Sequence, residues 1–463
     1  FFLYWFVFNK SLKVQNFFLV VCSYFFYACW DWRFLFLLAF STVLDFVSGL
    51  MIDKADSKAR KKFWLILSVG INLGFLGFFK YYNFFIESFA ELLTAIGLTP
   101  HFTTLSIILP IGISFYTFHG LSYVFDIYNG KIKPSHNWSN YTLFVSFFPL
   151  LVAGPIERAT HLLPQVEKVR IFSYSKAVDG MRQILWGLFK KIVIADNCAS
   201  LVNTIFAGHE QYTGSTLVLG AMLFAIQIYG DFSGYSDIAL GTARLLGMEL
   251  LQNFRFPYFS RDIAEFWRRW HISLSSWFKD YLYIPLGGSR GGMAKTIRNT
   301  FIIFLVSGFW HGANWTFVMW GGLNALFIMP SVIFKTNRKN LDTVAQGKIL
   351  PSFKELAQVL LTFMLASFAW IFFRAETISS AFVYVSEIFS SSLFSKPSVM
   401  SGTVILLAVV FMIIEWLGRE DKYALEKLGL KWKAPIRWVF YYALILAILF
   451  MGGEQQEFIY FQF

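Results

Sequence analysis

The chain has 463 residues, of which 56% are apolar, 20% aromatic and only 15% charged. A composition this apolar excludes an ordinary soluble protein and indicates a polytopic membrane protein that contacts the lipid bilayer. The net charge of +12 would suggest a nucleic-acid partner for a soluble chain. Here basic loops that orient membrane segments explain it better, so we predict no nucleic-acid partner.

Apolar runs long enough to cross a bilayer recur along the whole chain. They lie at about residues 15–30, 32–51, 63–80, 103–125, 141–155, 181–206, 214–230, 297–330, 354–373, 401–417 and 436–452. Several of these runs can split or re-enter the membrane. We therefore predict an all-α polytopic membrane protein of about eleven or more transmembrane helices with re-entrant segments.

Basic residues concentrate in three of the connections between these runs. They are Lys54, Lys58, Arg60, Lys61 and Lys62 in the first, Lys335, Arg338 and Lys339 in the second, and Arg419, Lys422, Lys427, Lys431, Lys433 and Arg437 in the third. The positive-inside rule places all three loops in the cytoplasm. The last apolar run then carries the chain outward, so we predict an external C-terminus.

The region from about 231 to 298 is more polar than the predicted spans. Asp231 and Asp237 flank a glycine directly after an apolar run. Charged residues then recur at helical spacing, so that pairs such as Asp262 with Arg269, and Glu265 with Arg268 or Arg269, can meet. A surface amphipathic helix would explain these charges, but the many aromatic residues favour an embedded segment that lines a funnel. We expect Asp231, Asp237 and Arg269 to support a site rather than to react.

Two histidines, His271 and His311, lie in aromatic-rich apolar sequence. Ionisable groups at bilayer depth are costly and often functional. His311 follows Arg298, at the presumed cytoplasmic edge, by roughly 20 Å of helix, which is beyond the midplane of a core about 30 Å thick. A structural histidine bonded to a neighbouring helix is the alternative. Gly308 and Gly312 would clear space either for a ligand or for helix packing.

Longer motifs surround these histidines. They are RRWHISLSSWFKDYLYIPLGG at 268–288, GFWHG at 308–312, PIGISFYTF at 110–118, AGPIER at 153–158, YGDFSGYSD at 229–237 and FRA at 373–375. Together they resemble the membrane-bound O-acyltransferases, and most of all the bacterial branch that contains alginate O-acetyltransferase membrane subunits and teichoic-acid D-alanyl transferases. Lys279 stands where arginine is common in that branch.

The resemblance implies a ring of helices around a central tunnel in the bacterial cytoplasmic membrane. Residues 1–463 would form one membrane-embedded domain, with a motif core at about 110–330 and C-terminal helices and tail at 354–463. An acetyl group from cytoplasmic acetyl-CoA would pass to an extracytoplasmic hydrolase-like partner that O-acetylates a polysaccharide. The resemblance implies no bound cofactor and no metal for this transfer. His311 matches the near-invariant family histidine, and His271 matches the second active-site position.

Acyl transfer to a hydroxyl needs a base for its proton and a donor for the oxyanion. We predict that His311 is the base and that His271 positions the donor or stabilises developing charge, with Trp310 and Asn314 as lesser candidates. The tail FIYFQF at 458–463 resembles the ending of this branch. Tyr460 is therefore a candidate acyl carrier, and an interfacial anchor is the alternative.

Other functions remain open at this stage. Peptidoglycan O-acetylation and D-alanyl transfer to teichoic acid use the same scaffold. A proton-coupled transporter could also use intramembrane histidines, although no inverted repeat is evident. A haem or metal protein is a further alternative, but no ligand cluster accompanies the two histidines.

Overall fold

The computed structural model describes residues 1–99, 102 and 104–459. These residues contain helices and no strand. The helices are α1 (Leu12–Asp31), α2 (Leu35–Lys54), α3 (Lys58–Leu76), α4 (Tyr82–Ala95), α5 (Ile113–Tyr128), α6 (Trp138–Ser146), α7 (Phe148–Leu151), α8 (Ala159–Val166), α9 (Tyr174–Leu188), α10 (Asp196–Ala207), α11 (Gly214–Leu245), α12 (Ile263–Arg269), α13 (Ile272–Phe278), α14 (Met293–His311), α15 (Trp315–Ile333), α16 (Phe353–Arg374), α17 (Ile378–Ile388), α18 (Gly402–Gly418) and α19 (Ala434–Phe450).

Short π-helical and 3₁₀ segments connect or extend several of these helices. The π-helical segments are Leu3–Val7, Gly77–Tyr81, Phe189–Ala195 and Lys279–Tyr283, and the 3₁₀ segments are Trp32–Phe34, His209–Gln211, Pro257–Phe259 and Ser391–Phe394. The segment Phe189–Ala195 matters most for the site, because it carries two lysines in the middle of an apolar run.

Five helical stretches of the described chain are long and apolar enough to cross a membrane. They are Leu12–Lys54, Lys58–Ala95, Gly214–Leu245, Trp315–Ile333 and Phe353–Arg374, with shorter apolar helices at Ile378–Ile388, Gly402–Gly418 and Ala434–Phe450. The all-α, multi-pass membrane fold is thus confirmed. The number of about eleven spans stays a prediction.

Three predicted runs have different boundaries in the structure. The run at 297–330 is two helices, α14 and α15, because Gly312 is extended and Asn314 caps α15. The run at 103–125 becomes α-helical only at Ile113, after Gly112 in the left-handed region. The run at 141–155 breaks at Phe147, and the short helix α7 follows with Pro149 in its first turn.

The chain divides into two compact units. The first holds residues 1–177 and 243–251, and the second holds 178–242 together with the described residues from 252 onward. In the first unit, the buried carboxylate of Asp45 accepts hydrogen bonds from Ser68 at 2.6 Å and Asn72 at 2.8 Å. The single domain predicted over 1–463 stays a prediction.

The second unit has an aromatic core. Trp270, Trp320 and Trp370 are almost fully buried. Their rings are in contact, with centroid separations of 5.0 Å between Trp270 and Trp370 and 5.4 Å between Trp320 and Trp370. Buried aromatic pairs of this kind each contribute roughly 0.5–1.5 kcal/mol beyond burial of their area. This core supports the candidate site.

Candidate active site

His271 lies where α12 ends and α13 begins. Its backbone is left-handed, with φ of +43°, a conformation that costs a non-glycine residue on the order of 1–3 kcal/mol. Two backbone hydrogen bonds flank it: Arg255 N–H donates to the Arg269 carbonyl at 2.9 Å, and Ile272 N–H donates to the Asn253 carbonyl at 2.9 Å. The chain around Asn253 therefore fixes the turn at His271.

The side chain of Asn253 also fixes the imidazole. His271 is 1% exposed, and its Nδ1 lies 2.9 Å from Oδ1 of Asn253. The same oxygen accepts a hydrogen bond from Ser273 Oγ at 2.9 Å, and Nδ2 of Asn253 donates to Ser236 at 3.3 Å. Because a carboxamide oxygen only accepts, Nδ1 of His271 carries the proton. The neutral ring consequently has its lone pair on Nε2.

His311 is the last residue of α14 and is 3% exposed. Its ring packs edge-on against Trp320, with centroids 5.1 Å apart, and against Phe373 at 5.5 Å. The centroids of His311 and His271 are 6.2 Å apart. The structure thus brings the two histidines together, although forty residues of sequence separate them.

The glycines beside His311 serve helix packing. A Cβ on Gly308 would lie 2.2 Å from the carbonyl oxygen of Phe317 on α15, and one on Gly321 would lie 2.3 Å from the carbonyl oxygen of Phe304 on α14. A Cβ on Gly312 would meet the Phe317 ring at 2.1 Å. Of the two hypotheses for Gly308, close packing of helices is the one that the structure supports.

Arg269 belongs to a buried charge network on α12. It forms an ion pair with Glu265 at 2.8 Å, and Glu265 also pairs with Arg261 at 3.1 Å. The predicted pairing of Glu265 with Arg269 is confirmed. Asp262 instead caps α12 by accepting from Glu265 N–H at 2.7 Å, so its predicted pairing with Arg269 is wrong: as the N-cap, it binds the first turn of the helix. Arg269 supports the turn before His271.

Asp237 pairs with a lysine from the π-helical segment. Lys190 Nζ lies 2.6 Å from Asp237 Oδ2 and donates to Ser233 at 2.8 Å. Both charged groups line a small polar cavity, together with Tyr229, Ser236, Leu240, Gln252, Asn253, Phe254, Phe256, Glu415, Lys422 and Tyr423. One wall residue, Lys422, lies in a loop that the basic residues predict to be cytoplasmic. Another, Asn253, holds the ring of His271.

Asp231 pairs with the next lysine along the chain. Lys191 Nζ lies 2.9 Å from Asp231 Oδ1 and 2.8 Å from Asp196 Oδ1. It also donates to the Gln456 carbonyl at 3.1 Å, and Asp231 Oδ2 accepts from Ile459 N–H at 2.7 Å. Asp231 and Lys191 therefore clamp the C-terminal tail.

The tail folds back onto the second unit. Ile459 is 1% exposed. The Phe458 ring lies 5.2 Å from that of Tyr235 and 6.0 Å from that of Phe232, and Phe232 in turn packs edge-on against His271 at 4.7 Å. One phenyl ring thus separates the tail from His271. Tyr460 lies outside the described residues.

Trp310 and Asn314 have different positions. The Trp310 ring lies 6.1 Å from the ring of His271 and 5.0 Å from that of His311, so it forms part of the wall of the site. Asn314 accepts from Thr316 N–H at 3.0 Å and donates to the Glu376 carbonyl at 2.9 Å. Both polar ends of Asn314 therefore fix the turn after α14.

Several residues that shape the site were not among those predicted. They are Asn253, Lys190, Lys191, Glu415, Trp320 and Phe373. Glu415 accepts from Trp186 at 2.9 Å and from Tyr229 at 2.5 Å. Glu415 lies in the apolar run 401–417, and the two lysines lie in the run 181–206. Charges at bilayer depth need partners, so these positions were the signal in the sequence that could have identified all three residues. Asn253 carries no charge and gave no such signal.

Known proteins resemble this chain over most of its length. Residues 131–373 match the membrane-bound O-acyltransferase family. The probable alginate O-acetylase of Pseudomonas aeruginosa is 38% identical over 417 residues, which cover 89% of this chain and 78% of that protein. The peptidoglycan O-acetyltransferase of Helicobacter pylori is 35% identical, covering 80% and 73%. The teichoic acid D-alanyltransferase of Bacillus subtilis is 27% identical, covering 60% and 71%.

Proposed function

This chain belongs to the membrane-bound O-acyltransferase family, and we propose that it moves an acetyl group from cytoplasmic acetyl-CoA across the membrane for O-acetylation of an exported polysaccharide. The membership makes it an O-acyltransferase. An acetyl group is favoured because relatives that are 35% and 38% identical to this chain are named as probable alginate O-acetylases. The D-alanyl relative shares less identity and less of the chain.

The single observation that carries this proposal is the pairing of two buried imidazoles, 6.2 Å apart, in an aromatic pocket. A neutral imidazole can take a proton near pH 7. We assign His311 as the general base for the attacking hydroxyl. His271, a neutral ring whose orientation Asn253 fixes, positions the donor or stabilises developing charge at the reacting carbonyl.

The polar cavity beside Lys190 and Asp237 supports entrance of the donor from the cytoplasm. It is lined by Lys422, in a loop predicted to be cytoplasmic, and by Asn253. We propose that the thioester arm of acetyl-CoA approaches His271 from this side. The exposed Lys422 at its edge suits the phosphates of the donor.

The clamped tail supports an acetyl relay through Tyr460. The phenol oxygen attacks the thioester carbonyl while His311 accepts the phenolic proton. Collapse of the tetrahedral intermediate breaks the C–S bond, and His311 returns the proton to the departing sulfur, which gives CoA and an acetyl ester on Tyr460. A hydroxyl of an extracytoplasmic hydrolase-like partner then attacks this ester, its proton passes to the phenol oxygen as the ester bond to Tyr460 breaks, and the acetylated partner acetylates the polysaccharide.

Radiolabelled acetyl-CoA tests this mechanism with the purified chain. We expect CoA release and covalent label in the wild type, and loss of label in His311→Ala and Tyr460→Phe. Tyr442→Phe, at an exposed tyrosine of α19, is the matched control and should keep the label. Label retained in Tyr460→Phe would place the carrier elsewhere. Absence of turnover in every form, with the partner present, would favour a transporter.

A further inference from the structure

Asp45 lies in the middle of α2, within a stretch that is long and apolar enough to cross a membrane. Lys54, the last residue of α2, follows Asp45 by roughly 14 Å of helix at 1.5 Å per residue. The positive-inside rule places Lys54 at the cytoplasmic face, so Asp45 lies near the midplane of a core about 30 Å thick. Its side chain is buried. A carboxylate at this depth needs a positive charge or a proton to neutralise it.

The groups that contact the Asp45 carboxylate are uncharged. Its Oδ1 accepts hydrogen bonds from Ser68 at 2.6 Å and Asn72 at 2.8 Å, both on α3. Its Oδ2 lies against the backbone of α5, where a Cβ on Gly120 would be only 1.9 Å away. Among the described residues, no lysine, arginine or histidine forms an ion pair with Asp45. Neutral donors stabilise a carboxylate but leave its charge uncompensated.

Two further buried oxygen atoms belong to the same cluster. Ser48 is fully buried and follows Asp45 by three residues, on the same face of α2. Within the part of the chain that the structure describes, neither Oγ of Ser48 nor Oδ1 of Asn72 has a hydrogen-bond partner. The Asn72 carboxamide already contacts Asp45 through Nδ2, which keeps its oxygen near the carboxylate. Buried polar atoms are nearly always satisfied, so these two oxygens point to a bound ligand.

The chemistry of the cluster favours a hard, monovalent cation. Carboxylate, carboxamide and hydroxyl oxygens bind hard cations, whereas softer metals prefer nitrogen and sulfur. A single carboxylate balances one positive charge, so a divalent ion would leave net charge at the midplane. A proton on Asp45 would bring one donor for two unpartnered oxygens, and a water molecule would leave the charge. The close approach of Gly120 leaves little space, which suits sodium better than the larger potassium ion.

We propose that a sodium ion binds between α2 and α3, with Asp45 as its charged ligand and Ser48 and Asn72 as neutral ligands. The ion neutralises the carboxylate and joins the two helices, which stabilises the first unit. The inference does not rest on acetyl transfer, because His271 and His311 belong to the second unit.

Thermal unfolding of the purified full chain in detergent tests the proposal. We expect the melting temperature to be at least about 2 °C higher in sodium chloride than in N-methylglucamine chloride of equal concentration, because an ion that binds only the folded chain stabilises it. Asp45→Asn keeps the shape of the side chain and removes its charge, so the sodium-dependent rise should disappear. Asp53→Asn, at an exposed position of the same helix, is the matched control and should keep the rise.

Ser48→Ala distinguishes a ligand from a packing residue. Since Ser48 Oγ has no partner in the described chain, its loss should not lower the melting temperature in the N-methylglucamine salt. It should raise the sodium concentration that gives half of the maximal rise at least about threefold, because one ligand is lost.

Equal melting temperatures of the wild type in the two salts would overturn the proposal and assign a proton to Asp45 instead. An equal rise in potassium chloride, or a sodium-dependent rise that persists in a folded Asp45→Asn, would also overturn it.

Discussion

Asn253 holds His271 twice, since its carboxamide oxygen lies 2.9 Å from Nδ1 of the ring and its carbonyl accepts the N–H of the next residue at 2.9 Å. The first hydrogen bond sets the tautomer of the His271 ring, and the second fixes the backbone conformation directly after His271. Together they make Asn253 a positioning residue for the imidazole, comparable to the groups that orient histidines in other active sites.

Substitution of Asn253 tests this role. Asn253→Ala should lower kcat about 10–100-fold with little change in KM, because the imidazole loses its tautomer and orientation. Asn253→Asp keeps the hydrogen bond but adds a negative charge, which favours the imidazolium and raises the pKa of His271. Since activity needs the neutral ring, the acidic limb of the pH profile of CoA release should move to higher pH by about one unit. An unchanged kcat in a folded Asn253→Ala would contradict this role.

The proximity of His271 and His311 predicts non-additive effects. His271→Ala and His311→Ala should each lower the rate of CoA release by about 10²–10⁴-fold, the usual range for acid–base groups. The double variant should be little worse than either single one, because the two rings act on the same transfer step. His136→Ala, at an exposed histidine, should leave the rate unchanged. Additive losses would indicate that the histidines act in separate steps.

Local periodicity predicted the parts of this site that lie on one helix. The pairing of Glu265 with Arg269 follows from their spacing of four residues. The position of His311 at the far end of a helix that contains Arg298 is likewise confirmed by α14. The break at Gly312 was missed because 297–330 is apolar on both sides of it, so hydropathy alone gives no boundary.

Contacts between distant segments could not be predicted in this way. Lys190 with Asp237 and Lys191 with Asp231 join a π-helical segment to α11, and a single sequence does not give the relative rotation of two helices. The return of Ile459 to Asp231 spans more than two hundred residues. For Asp231 the sequence predicted a supporting role, which is compatible with its clamp on the tail.

The contacts that clamp the tail predict a local change in amide hydrogen exchange. Lys191→Met removes the ion pair with Asp231 and the hydrogen bond to the Gln456 carbonyl. Exchange of the Ile459 amide hydrogen should then accelerate at least about tenfold, the effect of losing roughly 1.4 kcal/mol of local stability. Asp237→Asn, which alters the pair with Lys190 instead, is the control and should leave this amide protected. Unchanged exchange in Lys191→Met would show that other contacts hold the tail.

The packing of α14 against α15 predicts a sharp difference between two adjacent glycines. A Cβ on Gly321 would lie 2.3 Å from the Phe304 carbonyl oxygen, whereas one on Gly322 would meet only a methyl group of Leu305 at 3.7 Å. Gly321→Ala must push the helices apart, and overpacking of this kind costs about 1–3 kcal/mol. Gly322→Ala should be neutral or slightly stabilising, since alanine favours helix. Thermal unfolding in detergent measures both. Equal melting temperatures for the two variants would mean that the helices do not pack this closely. Because Phe304 lies two turns before His311 on α14, Gly321→Ala should also slow CoA release.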